Sequence, residues 1–137
     1  MSYTWKIASK DEFPSIYELL CKCGLWLEWG IEGVKRRVTD PLNINHLISF
    51  YDNAGKLCGF LTLAHMNEEA ESHQATVGVL PQDWRSGKNL WVVDFVAPYG
   101  GCYQMLSVVM RGVNPTVSKT ARYFRKKTNQ IRQVEIA

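Results

Sequence analysis

LPQDWRSGKNLWVVDFVAPYG, residues 80–100, is the stretch on which the fold of this 137-residue chain turns. Its second half, WVVDFVAPYGG (91–101), has the apolar density of a buried strand and stops at Pro98, Gly100 and Gly101. Asp94 stands in its middle. Alternation puts Asp94 on one face with Val92 and Val96, and Trp91, Val93 and Phe95 on the other. A carboxylate among valines is costly to desolvate unless something pairs with it. Asp94 is therefore a candidate site residue.

Outward from this strand, the chain shows helix signals first. Ser9 with Glu12 resembles a capping box, Pro14 suits a first turn, and Phe13, Ile16, Tyr17 and Leu20 follow at helical spacing. Gly24 is a stop signal, and 26–37 reads as a second short helix weakened by Gly30 and Gly33. HLISFY (46–51) and LCGFLTLAHM (57–66) flank the turn residues DNAGK, which predicts a hairpin. ATVGVL (75–80) reads as a further strand, 102–111 as a helix ended by Asn114-Pro115, 118–127 as a basic helix and 130–136 as a last strand. Helices, then consecutive antiparallel strands, then helices give one α+β domain over 1–137.

Composition sets the class. An apolar fraction of 46% and a charged fraction of 21% fit a soluble globular domain. No apolar run approaches the ~20 residues of a membrane span, and the N-terminus lacks a signal-peptide core. The expected place is a cytoplasm, that of a bacterial host. Cys21 and Cys23 form C-x-C, and with Cys58 and Cys102 they complete neither a zinc pattern nor an expected disulfide set; no metal is expected. Residues 119–132 hold six Lys/Arg and no acid, which leaves the rest of the chain mildly acidic. Lys119, Arg122, Arg125, Lys126 and Lys127 are candidate binding residues for an acidic partner, and a solvated face is the competing reading.

With Asp83, Trp84, Ser86, Gly87, Trp91, Asp94, Ala97, Pro98 and Gly100 in place, residues 80–100 resemble the toxin-activating lysine acyltransferases, which attach fatty acyl groups to RTX pore-forming toxins. The shared pattern is D-W-x-S-G, a short gap, W, two residues, D, two residues, A-P-x-G. The likeness is weaker through 46–69 and 117–127, and between 101 and 116 the chain is shorter than the family. The resemblance implies a GNAT-like (acetyltransferase-like) fold with a mixed, mainly antiparallel sheet flanked by helices. It implies acyl carrier protein as acyl donor and no further cofactor. It also implies a catalytic pair of one His and Asp94, the His removing a proton from the attacking lysine.

The His of that pair is replaced. The family pattern L-H-x-x-W is matched here by LWLEW (25–29): Leu25 and Trp29 fit, and Trp26 stands where the His would be. Indole N–H donates only and is no base. His46 and His65, at strand ends, are the candidate substitute bases; Glu28 and the cysteines are weaker candidates. Asp94 is then either catalytic or structural, the structural form being bonded to the Trp26 indole or to backbone N–H groups.

Two classes of function follow. The first is an acyltransferase-fold protein that has lost catalysis and works as a binding or assembly component. By analogy of fold, a phage-encoded virion protein, structural or internal, is one form of it. The second is an active lysine N-acyltransferase served by acyl carrier protein. A nucleic-acid-binding accessory role through 119–132 is a third, since Tyr123 and Phe124 stand among the cations.

Overall fold

The hairpin turn is set by one side chain. The Asp52 carboxylate accepts from the N–H groups of Ala54 (2.9 Å) and Lys56 (3.0 Å), and Gly55 takes the left-handed conformation that closes the turn. Around it a computed structural model describes residues 2–113, 120–125 and 130–135. The order is β1 (Thr4–Ile7), α1 (Phe13–Lys22), α2 (Leu25–Val34), a π-helical turn (Lys35–Thr39), α3 (Asp40–Asn43), β2 (Leu47–Tyr51) and β3 (Leu57–Met66). There follow α4 (Glu68–Gln74), β4 (Asn89–Val96), α5 (Cys102–Val113), β5 (Thr120–Arg125) and β6 (Gln130–Glu135). The strands form one six-stranded sheet in the order β1-β2-β3-β4-β5-β6, antiparallel except for the parallel β4–β5 pair.

β3 divides the core, its alternation shifted by one at Cys58, where the register with β2 breaks. Leu57 and Phe60 pack on one face with Ile16, Leu19, Leu20 and Val38 from the α1–α3 segment. Cys58, Leu61 and Leu63 pack on the other with Met105 and Val109 of α5. Each fully buried Leu, Ile or Phe contributes roughly 1.5–3 kcal/mol by its transfer from water. A third cluster at the far end of β3 and β4 holds Ala64, Met66, Trp84 and Trp91 under α4. Among the described residues no helix is long and apolar enough to cross a membrane.

Three sequence expectations are corrected. Residues 75–80 form no strand: α4 precedes them, capped at its start by the Asn67 side chain accepting from Ala70 N–H (2.8 Å). They fold back through Gly78, whose N–H donates to the His73 carbonyl (2.7 Å). The basic helix expected over 118–127 is instead β5 across Thr120–Arg125, because pairing with β4 and β6 overrides local propensity; 118, 119, 126 and 127 lie outside the described residues. The third correction concerns β4 itself. Thr62 pairs with Asp94 and Leu63 with Val92, so Val93 is a bulge residue with no opposite number. The bulge breaks the alternation: Val92 and Phe95 both pack on the α5 face, while Val96 packs on the α1 face. Asp94, opposite Thr62, shares its face with Val96 and not with Val92.

Candidate functional site

The bulge decides what Asp94 meets. Its N–H donates to Thr62 Oγ1 (3.2 Å), and its side chain is turned toward the π-helical turn. Arg37 in that turn donates from Nη1 to both carboxylate oxygens, at 2.9 and 3.1 Å. An extra residue in a helical turn re-aims the side chains that follow, and such turns recur at functional sites. The guanidinium also lies over the Trp29 ring, 5.4 Å from its centroid. Side-chain exposure is 25% for Arg37 and 13% for Asp94, so the pair is partly desolvated and worth more than a surface ion pair.

Arg37 and Asp94 form one end of a cleft of about 720 Å³, within the roughly 300–1,000 Å³ of small-molecule sites. The cleft follows from the sheet. The parallel β4–β5 pair is registered at Trp91 with Arg122, and beyond that point the space opens between Val92–Phe95 and Tyr123. Ala75, Val77 and Gly78 after α4 form one wall, and Cys102, Tyr103 and Leu106 of α5 another. Burial pushes the Cys102 thiol up, away from the reactive thiolate. Beside the β4–β5 pair, the Glu71 carboxylate accepts from Trp91 Nε1 (2.7 Å) and from Arg122 Nη1. A largely apolar trough with one charged end suits an apolar chain carrying a polar head.

Comparison with known proteins identifies the family. Residues 8–137 match the family described as HlyC, the RTX toxin acyltransferase family. The chain belongs to the RTX toxin acyltransferase family. It is 24% identical over 101 residues to the leukotoxin-activating lysine-acyltransferase LktC of Mannheimia haemolytica, a match covering 72% of this chain and 60% of that protein. It is 25% identical over 103 residues to LktC of a Pasteurella haemolytica-like species, covering 69% of this chain and 62% of that one. The match thus spans about three-fifths of these relatives' own length. A solved GNAT-family acetyltransferase from Listeria monocytogenes superposes with a TM-score of 0.53 at 12% identity, covering 88% of this chain and 75% of that one. The GNAT-like fold expected from the sequence is therefore present.

The family motif has a structural explanation at most positions. Asp83, 2% exposed, accepts from Leu80 N–H (2.9 Å) and lies 3.0 Å from His73 Nδ1. Ser86 Oγ donates to the Asp83 carbonyl (2.9 Å) and accepts from Asn67 N–H (3.0 Å). A Cβ on Gly87 would come within 2.6 Å of the Met66 backbone, so glycine alone fits there. Trp84 and Trp91 fill the third cluster. After Pro98, Gly100 and Gly101 adopt positive φ and lead into α5.

The residues singled out for chemistry are dispersed. Trp26 packs edge-on against Tyr17, with ring centroids 4.5 Å apart, and Arg37 donates to Asp94. Trp29 lies under Arg37. His65 is three residues beyond Thr62 on β3, ~10 Å along the strand. His46 lies on the opposite side of β3 from β4, its carbonyl accepting from Leu63 N–H (2.9 Å). The two rings meet edge to face with centroids 6.3 Å apart, Arg85 Nε donates to His46 Nε2 (3.4 Å), and neither His lines the cleft. Burial first, then the charges of Arg85 and His65, hold His46 below the ordinary imidazole range. Of the basic candidates, Arg122 is paired with Glu71; Lys119, Lys126, Lys127 and the Arg125 side chain lie outside the described residues. Sequence reasoning passed over Arg37, one of three cations in KRR (35–37), because nothing local marks it as inward-facing.

Proposed function

We propose that this family member holds a fatty acyl group in the Asp94 cleft and acts by binding it, without transferring it to lysine. The observation that supports this is the partner of Asp94. Acyl transfer to a lysine amine, mostly protonated at neutral pH, needs a base at the reaction centre. A guanidinium keeps its proton in proteins and cannot be that base. Among the described residues no imidazole lines the cleft. Acyl carrier protein is the donor the family likeness suggests, and the basic residues of 119–127 are the proposed docking surface for it. A second reading, an active lysine N-acyltransferase, is favoured by the position of Asp94 on the cleft wall itself.

Incubation with palmitoyl-acyl carrier protein and a lysine-bearing RTX toxin segment, followed by mass spectrometry of the segment, separates the two. The expected result is a stable complex with the carrier and no acyl-lysine above the background of an Asp94→Asn variant. Acyl-lysine that disappears in folded Asp94→Asn establishes the active enzyme instead.

A further inference from the structure

Arg37 spends only one of its nitrogens on Asp94. Nη1 makes both contacts to the carboxylate, whereas a guanidinium carries five N–H donors in a rigid fork. Nε and Nη2 have no hydrogen-bond partner among the described residues. Nη2 lies 3.4 Å from where a Cβ on Gly78 would be, so the missing side chain keeps the space beside this donor open. Arg37 lines the cleft together with the apolar Val77, Val93 and Phe95. The side chain is 25% exposed, so these donors are open to an acceptor that enters the cleft. The Trp29 ring beneath and Asp94 beside it hold the guanidinium in one orientation, so little side-chain freedom is lost when a ligand arrives.

We propose that Arg37 determines which head group the cleft accepts: its spare N–H groups donate to the carbonyl oxygen of the bound acyl group while Nη1 stays on Asp94. The inference rests on the acyl-binding reading above and adds a specificity to it. A chain headed by C=O is accepted over the same chain headed by CH₂. The oxygen is supplied by a thioester or by a free carboxylic acid, and the experiment distinguishes them.

The full chain is titrated calorimetrically with S-dodecanoyl pantetheine, with its thioether S-dodecyl pantetheine, and with dodecanoic acid. The wild type is expected to bind the thioester about ten-fold more tightly than the thioether, the effect of one charge-assisted hydrogen bond. Arg37→Met is expected to bind both equally. Arg37→Lys keeps a cation beside Asp94 but lacks the fork, loses most of the preference, and decides the matter if the Met variant does not fold. Tighter binding of the acid that is lost in the variants supports the role of Arg37 and identifies a carboxylate as the source of the oxygen. Equal wild-type binding of thioester and thioether, or a preference surviving in the folded variants, overturns that role and leaves the acyl cleft standing. Binding of none of the three ligands overturns the cleft reading and this inference together.

Discussion

A single carboxylate shows how far one residue's partner decides its chemistry. Asp94 is held by Arg37 at 2.9 Å in a setting between surface and core. Removing one member of a fully buried pair costs about 3–5 kcal/mol, and an exposed pair is worth about 0–1. Arg37→Ala is therefore expected to cost about 2 kcal/mol in urea unfolding. Combining it with Asp94→Asn is expected to cost less than the two single changes added together, because the contact between them is lost only once; strict additivity would show that the pair is not coupled. A second polar cluster gives a pH signature. Burial alone would raise the Glu12 carboxyl, but Tyr51 O–H, Lys6 and the Ser9 N–H donate to it and bring it below its ordinary 4.5. A depressed carboxyl stabilises the fold above 4.5 and loses that contribution as pH falls through its folded value. Burial, then the bond to Glu12, pushes the Tyr51 phenol up to about 12 from 10.0, so the stability tied to its neutral form is full below 10 and lost toward 12. Wild-type unfolding followed against pH is expected to weaken at both ends, with Glu12→Gln removing the acid limb and Tyr51→Phe the alkaline one.

At the scale of elements, the fold was legible where signals were local and illegible where pairing decided. The β2–β3 hairpin followed from DNAGK between two apolar runs, and α1 from Pro14 and its helical spacing. α4 was missed, although Asn67 before three glutamates carries the signature of a capped start with an acidic first turn. Residues 118–127 read as a basic helix, and only the β4 and β6 partners make 120–125 a strand. The Val93 bulge has no sequence signal, yet it turns Asp94 toward Arg37, so the site could be suspected from the sequence but not assembled. The 80–87 motif is the clearest case of a pattern kept for packing. Gly87→Ala puts a methyl against backbone atoms of Met66 and Asn67 that cannot give way, and it is expected to cost about 2–3 kcal/mol in thermal unfolding. An unchanged midpoint would contradict that account of the motif.

For the whole molecule, the sheet brings function to one place by opening between β4 and β5, with helices on both faces fixing the width of the gap. The cleft is lined by Arg37 and Asp94, and Trp26 packs edge-on against Tyr17. The measurement that bears most directly on the central claim is photolabelling by a dodecanoyl thioester with a terminal diazirine, mapped by peptide mass spectrometry on the intact chain. Label on the peptides that hold Val92–Phe95 and Tyr103–Leu106, suppressed by excess unlabelled thioester, is the expected result. Label confined to other surfaces, or not displaced by the unlabelled ligand, would show that the cleft does not receive the acyl group.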